Sequence, residues 1–82
     1  MAVIPQSQLV LMRKRKQLHE LMREHRWAEV ATIEAELFRE INRAVQDSQR
    51  SPKELLAELG SVINLYKELS LLCRQYSQQG VR

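Results

Sequence analysis

Residues 51–80, SPKELLAELGSVINLYKELSLLCRQYSQQG, decide how this chain is read. Ser51-Pro52-Lys53-Glu54 is a capping box with proline at the first helical position. The Ser51 hydroxyl is placed to accept from the Glu54 backbone N–H, and the Glu54 carboxylate to reach back to the Ser51 N–H. Apolar residues then fall at Leu55, Leu59, Val62, Tyr66, Leu69, Cys73 and Tyr76. Steps of four and three alternate, which is a heptad seam. Gly80 follows as a natural stop. The pattern predicts a helix over 52–79, roughly 40 Å long at about 1.5 Å per residue.

Working outward, residues 27–47 carry a second stripe, Val30, Ile33, Leu37, Ile41 and Ala44, edged by Trp27, Phe38 and Val45. Its period is again helical. The polar stretch from Asp47 to Ser51 is short, and short connections join antiparallel neighbours. A first helix over 6–24 has Pro5 near its start, Ser7 as its expected cap, and a stripe of Leu11, Leu18, Leu21 and Met22. Lys14 and Arg15 interrupt that stripe with long stems that cover apolar surface while their charges reach water. No Gly or Pro marks a break near 24–26, so a hairpin and one continuous rod both stay open. The change of stripe and of charge at Trp27 favours the hairpin. No segment alternates with period two. The expectation is an all-α chain, an antiparallel three-helix hairpin or bundle with a long C-terminal helix, in one domain spanning 1–82.

Composition narrows the rest. A length of 82 residues allows one small domain, and 44% apolar content excludes a disordered tail. One cysteine forms no internal disulfide, so nothing points to an oxidising compartment. The net charge of +3 is uneven: residues 1–26 sum to +4, 27–50 to −2 and 51–82 to +1. A basic segment beside an acidic one suits two neighbouring helices, whereas nucleic-acid binders are basic along a whole face. The run Arg13-Lys14-Arg15-Lys16 has neither helix-turn-helix spacing nor aromatic interleaving, and it reads as a solvated helix face. It follows an apolar cluster, the reverse of secretory-signal order, and no apolar run approaches the ~18 residues that span a bilayer. A soluble, cytoplasmic protein with no nucleic-acid partner and no membrane insertion is expected.

Catalytic constellations do not emerge. His19-Glu20 opens like a zinc-protease motif, but Arg23 occupies the position where the second histidine belongs, so no metal is expected. Cys73 lies on the seam and reads as a small core hydrophobe. No Gly-rich loop cradles a phosphate and no Ser/His/acid set forms, so no cofactor is expected. The enzyme rival is a small helical catalyst resembling the helical chorismate mutases, using Lys14, Arg15, Arg39 and Arg43. Arg39 and Arg43 fall off their stripe, and no enzyme is expected. Glu34 lies inside the apolar arc of the second helix; it is either at a wet edge or paired with Lys14 or Arg15, and the wet edge is favoured.

On a helical wheel the apolar arc of the third helix exceeds 180°, more than one neighbour covers. Leu65, Leu69, Leu72 and Tyr76, with Ile63 and Leu56, are therefore the candidate partner-binding residues. The competing reading makes them a dimer core or ordinary bundle core.

The run Arg26-Trp27-Ala28-Glu29-Val30, then Ile33-Glu34-Ala35-Glu36-Leu37, with Leu59, Ile63, Leu65, Tyr66, Leu69 and Leu72 on the third helix, resembles the FliT-type flagellar export chaperones over residues 9–79. The resemblance implies a cytoplasmic helical chaperone of type III export. Its partner would be a helical part of an exported, filament-cap-type protein, with contacts to export-apparatus components. Longer members carry a fourth helix over the binding groove; here the sequence ends soon after the third, leaving the groove open or filled by another copy as a homodimer. The alternative is a structural coiled-coil or oligomerisation module with no export role.

Overall fold

The structure is a computed structural model that describes residues 4–80, and the side chains of residues 4–75. It contains three helices, α1 (Gln6–Arg23), α2 (Trp27–Gln46) and α3 (Pro52–Gly80), and no strand among the described residues. The molecule is elongated, 54 × 19 × 18 Å, because α3 alone accounts for about 43 Å at ~1.5 Å per residue.

The break between α1 and α2 is made without glycine. His25 adopts φ 59°, and around it the Arg26 N–H donates to the Leu21 carbonyl (3.0 Å) and the His25 N–H to the Met22 carbonyl (3.1 Å). This is a Schellman ending with histidine in the left-handed position that glycine usually takes. The His25 ring meets Trp27 edge-on, with centroids 5.6 Å apart. The continuous rod is thereby excluded.

Side-chain pairings give the order of the helices. Ser7 reaches Asp47 and Lys14 reaches Glu36, so α1 and α2 run in opposite senses. Gln8 reaches Ser51 and Arg15 reaches Glu58, so α1 and α3 run in the same sense. Packing is closest between α1 and α2; α2 and α3 approach each other least. The core sits on the α1 side, where Leu11, Leu18 and Leu37 are fully enclosed with Met22, and Leu21, Val30, Ile33, Ala44, Leu55, Val62, Leu65 and Leu69 complete it. Burial of each large side chain contributes roughly 1.5–3 kcal/mol.

Both expected caps are wired differently. Ser7 does not cap α1: Pro5 is the extended residue before it, and the Ser7 hydroxyl instead donates to Asp47 Oδ2 (2.5 Å). At α3 the Ser51 hydroxyl donates to the Glu54 carboxylate, and the Ser51 N–H donates to Gln8 Oε1 (2.7 Å). A buried glutamine from another helix has taken the donor that Glu54 was expected to satisfy. Asp47 Oδ1 also accepts from the Gln49 N–H (2.8 Å), closing the turn on itself.

Candidate functional site

Where α1 ends, one wall of the bundle is missing. Between the first turns of α2, which lie beside the end of α1, and the later turns of α3, which run on beyond it, is an open trough of about 440 Å³. Trp27, Val30 and Ala31 line it from α2, and Leu69, Leu72 and Cys73 from α3. Among the described residues, Glu34 is the one charged residue on its lining. The trough follows from register: α3 is longer than its neighbours, so its late apolar positions have α2 on one side and nothing on the other.

The six partner-binding candidates separate by position. Leu65 is 6% exposed, a core residue lying against the α1 side, where Arg15 and His19 flank it. Leu69, 9% exposed, belongs to the core and forms part of the trough floor. Leu72 is half-buried and lines the trough. Leu56 and Ile63 are 71% and 56% exposed, on the outer flank of α3. The side chain of Tyr76 lies outside the described residues.

Cys73 needs correction. The seam places it with the core, yet it is exposed on the trough. Helical phase alone put it inside; the covering helix has ended by that level of α3.

Sequence reasoning missed other members. Phe38, 54% exposed, stacks on Tyr66 with ring centroids 5.8 Å apart. Together they bridge the gap between α2 and α3. The Tyr66 hydroxyl beneath is enclosed, with no hydrogen-bond partner among the described residues. Burial, and then the nearby Glu34 charge, push its pKa up to about 12. The only signal for this contact was the place of Phe38 on the edge of the second stripe. Glu40, 8% exposed, was not picked out either; it shares the buried line of Leu37 and Ala44 and meets Arg43 at 3.4 Å.

The charges divide into satisfied and free. Half of the basic run is tied across the bundle: Lys14 Nζ lies 2.5 Å from Glu36, and Arg15 pairs with Glu58. The Lys14 ammonium holds the Glu36 carboxyl below its usual range. Glu34 therefore takes neither cation, consistent with its place on an open edge. His19 Nε2 lies 3.5 Å from Glu68, adding a contact between α1 and α3. Among the described residues no group of three or more His, Cys, Asp or Glu is placed to hold a metal, and no helix is long and apolar enough to cross a membrane.

The chemistry available here is association. The trough offers apolar side chains from both helices, one indole and one carboxylate. No family model, no curated protein and no solved structure matches the chain.

Proposed function

We propose that this protein is a helix-binding chaperone, of the export type that its sequence resembles. It shields an amphipathic helix of a partner protein, a flagellar filament-cap-type export substrate, by taking the apolar face of that helix into the trough at Trp27 and Leu72. The observation that carries this is the trough itself: an apolar channel open along one side, left where α1 ends and α3 continues. Helix-in-groove recognition needs an apolar floor and no catalytic group. Tryptophan is among the residues most enriched at interaction hot spots.

The test uses purified full-length chain and the purified C-terminal helical segment of a filament-cap protein. Calorimetry is expected to show a stoichiometric complex, and Leu72→Glu to weaken it at least tenfold while circular dichroism stays unchanged. Absence of a complex, or a complex indifferent to Leu72→Glu, contradicts the reading.

A further inference from the structure

Glu34 sets a condition on what the trough can hold. At 100° per residue it falls within about 20° of Trp27 and between Val30 and Ala31, so it occupies the middle of the α2 wall. The other lining residues, from Trp27 to Cys73, carry no charged side chain. Among the described residues, every acidic side chain except Glu20 and Glu34 meets a donor or a basic group of the chain. Glu20 is exposed to water, whereas Glu34 is half-buried. Its own helix offers no partner: the residues one turn away on either side are Val30, Ala31, Leu37 and Phe38. Across the trough, α3 presents Leu69, Leu72 and Cys73. The enclosed Tyr66 hydroxyl, near enough to feel the Glu34 charge, makes no hydrogen bond to it.

Water reaches the Glu34 carboxylate while the trough stands open. An occupant that seals the trough removes that water, and a carboxylate left without a partner then opposes binding. We propose that the occupant is a helix of a partner protein that carries one lysine or arginine within its apolar face, set against Glu34. Glu34 stands seven residues from Trp27, two turns or ~10 Å along α2. In a ligand helix lying along α2, the basic residue therefore stands two turns from the apolar residue seated at Trp27. A wholly apolar helix leaves Glu34 unpaired, and an acidic one sets like charges together. The apolar lining supplies the contact area, and Glu34 selects which helix uses it. This inference rests on the helix-binding reading above and specifies its ligand.

Three synthetic peptides of about 18 residues, ~27 Å as helices, serve as probes. They share one Leu/Ile face and differ at a single position within it, seven residues from a central leucine, which holds Lys, Gln or Glu. They contain no tryptophan, so Trp27, the single tryptophan of the chain, reports binding by its fluorescence. The Lys peptide is expected to bind the full-length chain roughly tenfold tighter than the Gln peptide, the size of a carboxylate left unpaired on burial, and the Glu peptide to bind weakest. Glu34→Gln, a change of nearly equal shape, is expected to bring the Lys and Gln peptides within about twofold of each other. Glu34→Lys is expected to make the Glu peptide the tightest, with circular dichroism unchanged in both variants. Equal binding of all three peptides to the unaltered chain, abolished by Leu72→Glu, overturns the charge selection and leaves the helix-binding reading intact. A Lys preference that persists in Glu34→Gln overturns the assignment to Glu34. No binding of any peptide overturns both readings. A dimer in sedimentation that Leu72→Glu converts to monomer overturns the proposal in favour of a second copy.

Discussion

The two ends of this bundle are finished in opposite ways. At the turn between α2 and α3, the chain is bound to the start of α1 by Ser7 on Asp47 and by buried Gln8 on the Ser51 N–H, and Asp47 also closes its own turn. At the other end, α1 stops at a left-handed His25 and nothing replaces it, so Leu72 and Cys73 look onto an open trough with Trp27. The first end spends its polar groups on internal satisfaction. The second leaves apolar surface for something else to cover. Under the proposed function, stability and binding fall to different ends of one short fold, so that substitutions at one need not disturb the other.

The sharpest way to break this comparison is a pair of identical changes. Leu65→Glu places a carboxylate in the core and is expected to unfold the chain or to cost about 4 kcal/mol or more in urea titration. Leu72→Glu, only seven residues on, is expected to cost about 1 kcal/mol or less, since its carboxylate reaches water. Similar costs would show that the trough is core. Next in size is Gln8→Ala. It strands the Ser51 N–H at the tied end, with an expected loss of about 1–3 kcal/mol in chemical denaturation and no change in partner binding.

Acid sharpens the same contrast. Asp47 is held below its ordinary value of 3.8, chiefly by the Ser7 hydroxyl and then by the Gln49 N–H, and Glu54 below 4.5 by the Ser51 hydroxyl. A carboxyl whose pKa is lower folded than unfolded stabilises the fold above its unfolded pKa, and that contribution disappears as pH falls through the folded value. Thermal stability should therefore fall as pH drops below about 4.5, and Asp47→Asn should flatten part of the decline. A pH series of melting curves checks both. Smallest is Tyr66→Phe, which removes an enclosed hydroxyl with no partner; it should be neutral or stabilising by about 1 kcal/mol in the same denaturation assay.

Much of this architecture is legible in the residues. The heptad seam from Leu55 onward and the Ser51-Pro52 start locate α3, and the stripe from Val30 to Ala44 locates α2, because apolar periodicity reports helices directly. What escapes is whatever depends on a residue distant in sequence. Gln8 carries no periodic signal, so the sequence presents the capping box as self-contained and gives no sign of the bond from the Ser51 N–H to Gln8. Cys73 shows the limit of a wheel: phase says which way a side chain points, not whether a neighbour is still there. Leu65 and Leu72 look alike on the wheel, yet α1 covers the first and ends before the second. Trp27 reads from the sequence as a helix start, and it becomes a trough wall only because α3 lies beside it.

Amide hydrogen exchange along α3, with and without a peptide of the C-terminal helical segment of a filament-cap protein, tests the central claim most directly. The account predicts strong protection around Val62 and Leu65 in the isolated chain, weak protection from Leu69 to Arg74, and a marked gain in that second stretch when the peptide is added. Protection from Leu69 to Arg74 that already equals that at Val62, or that does not change with bound peptide, would contradict it.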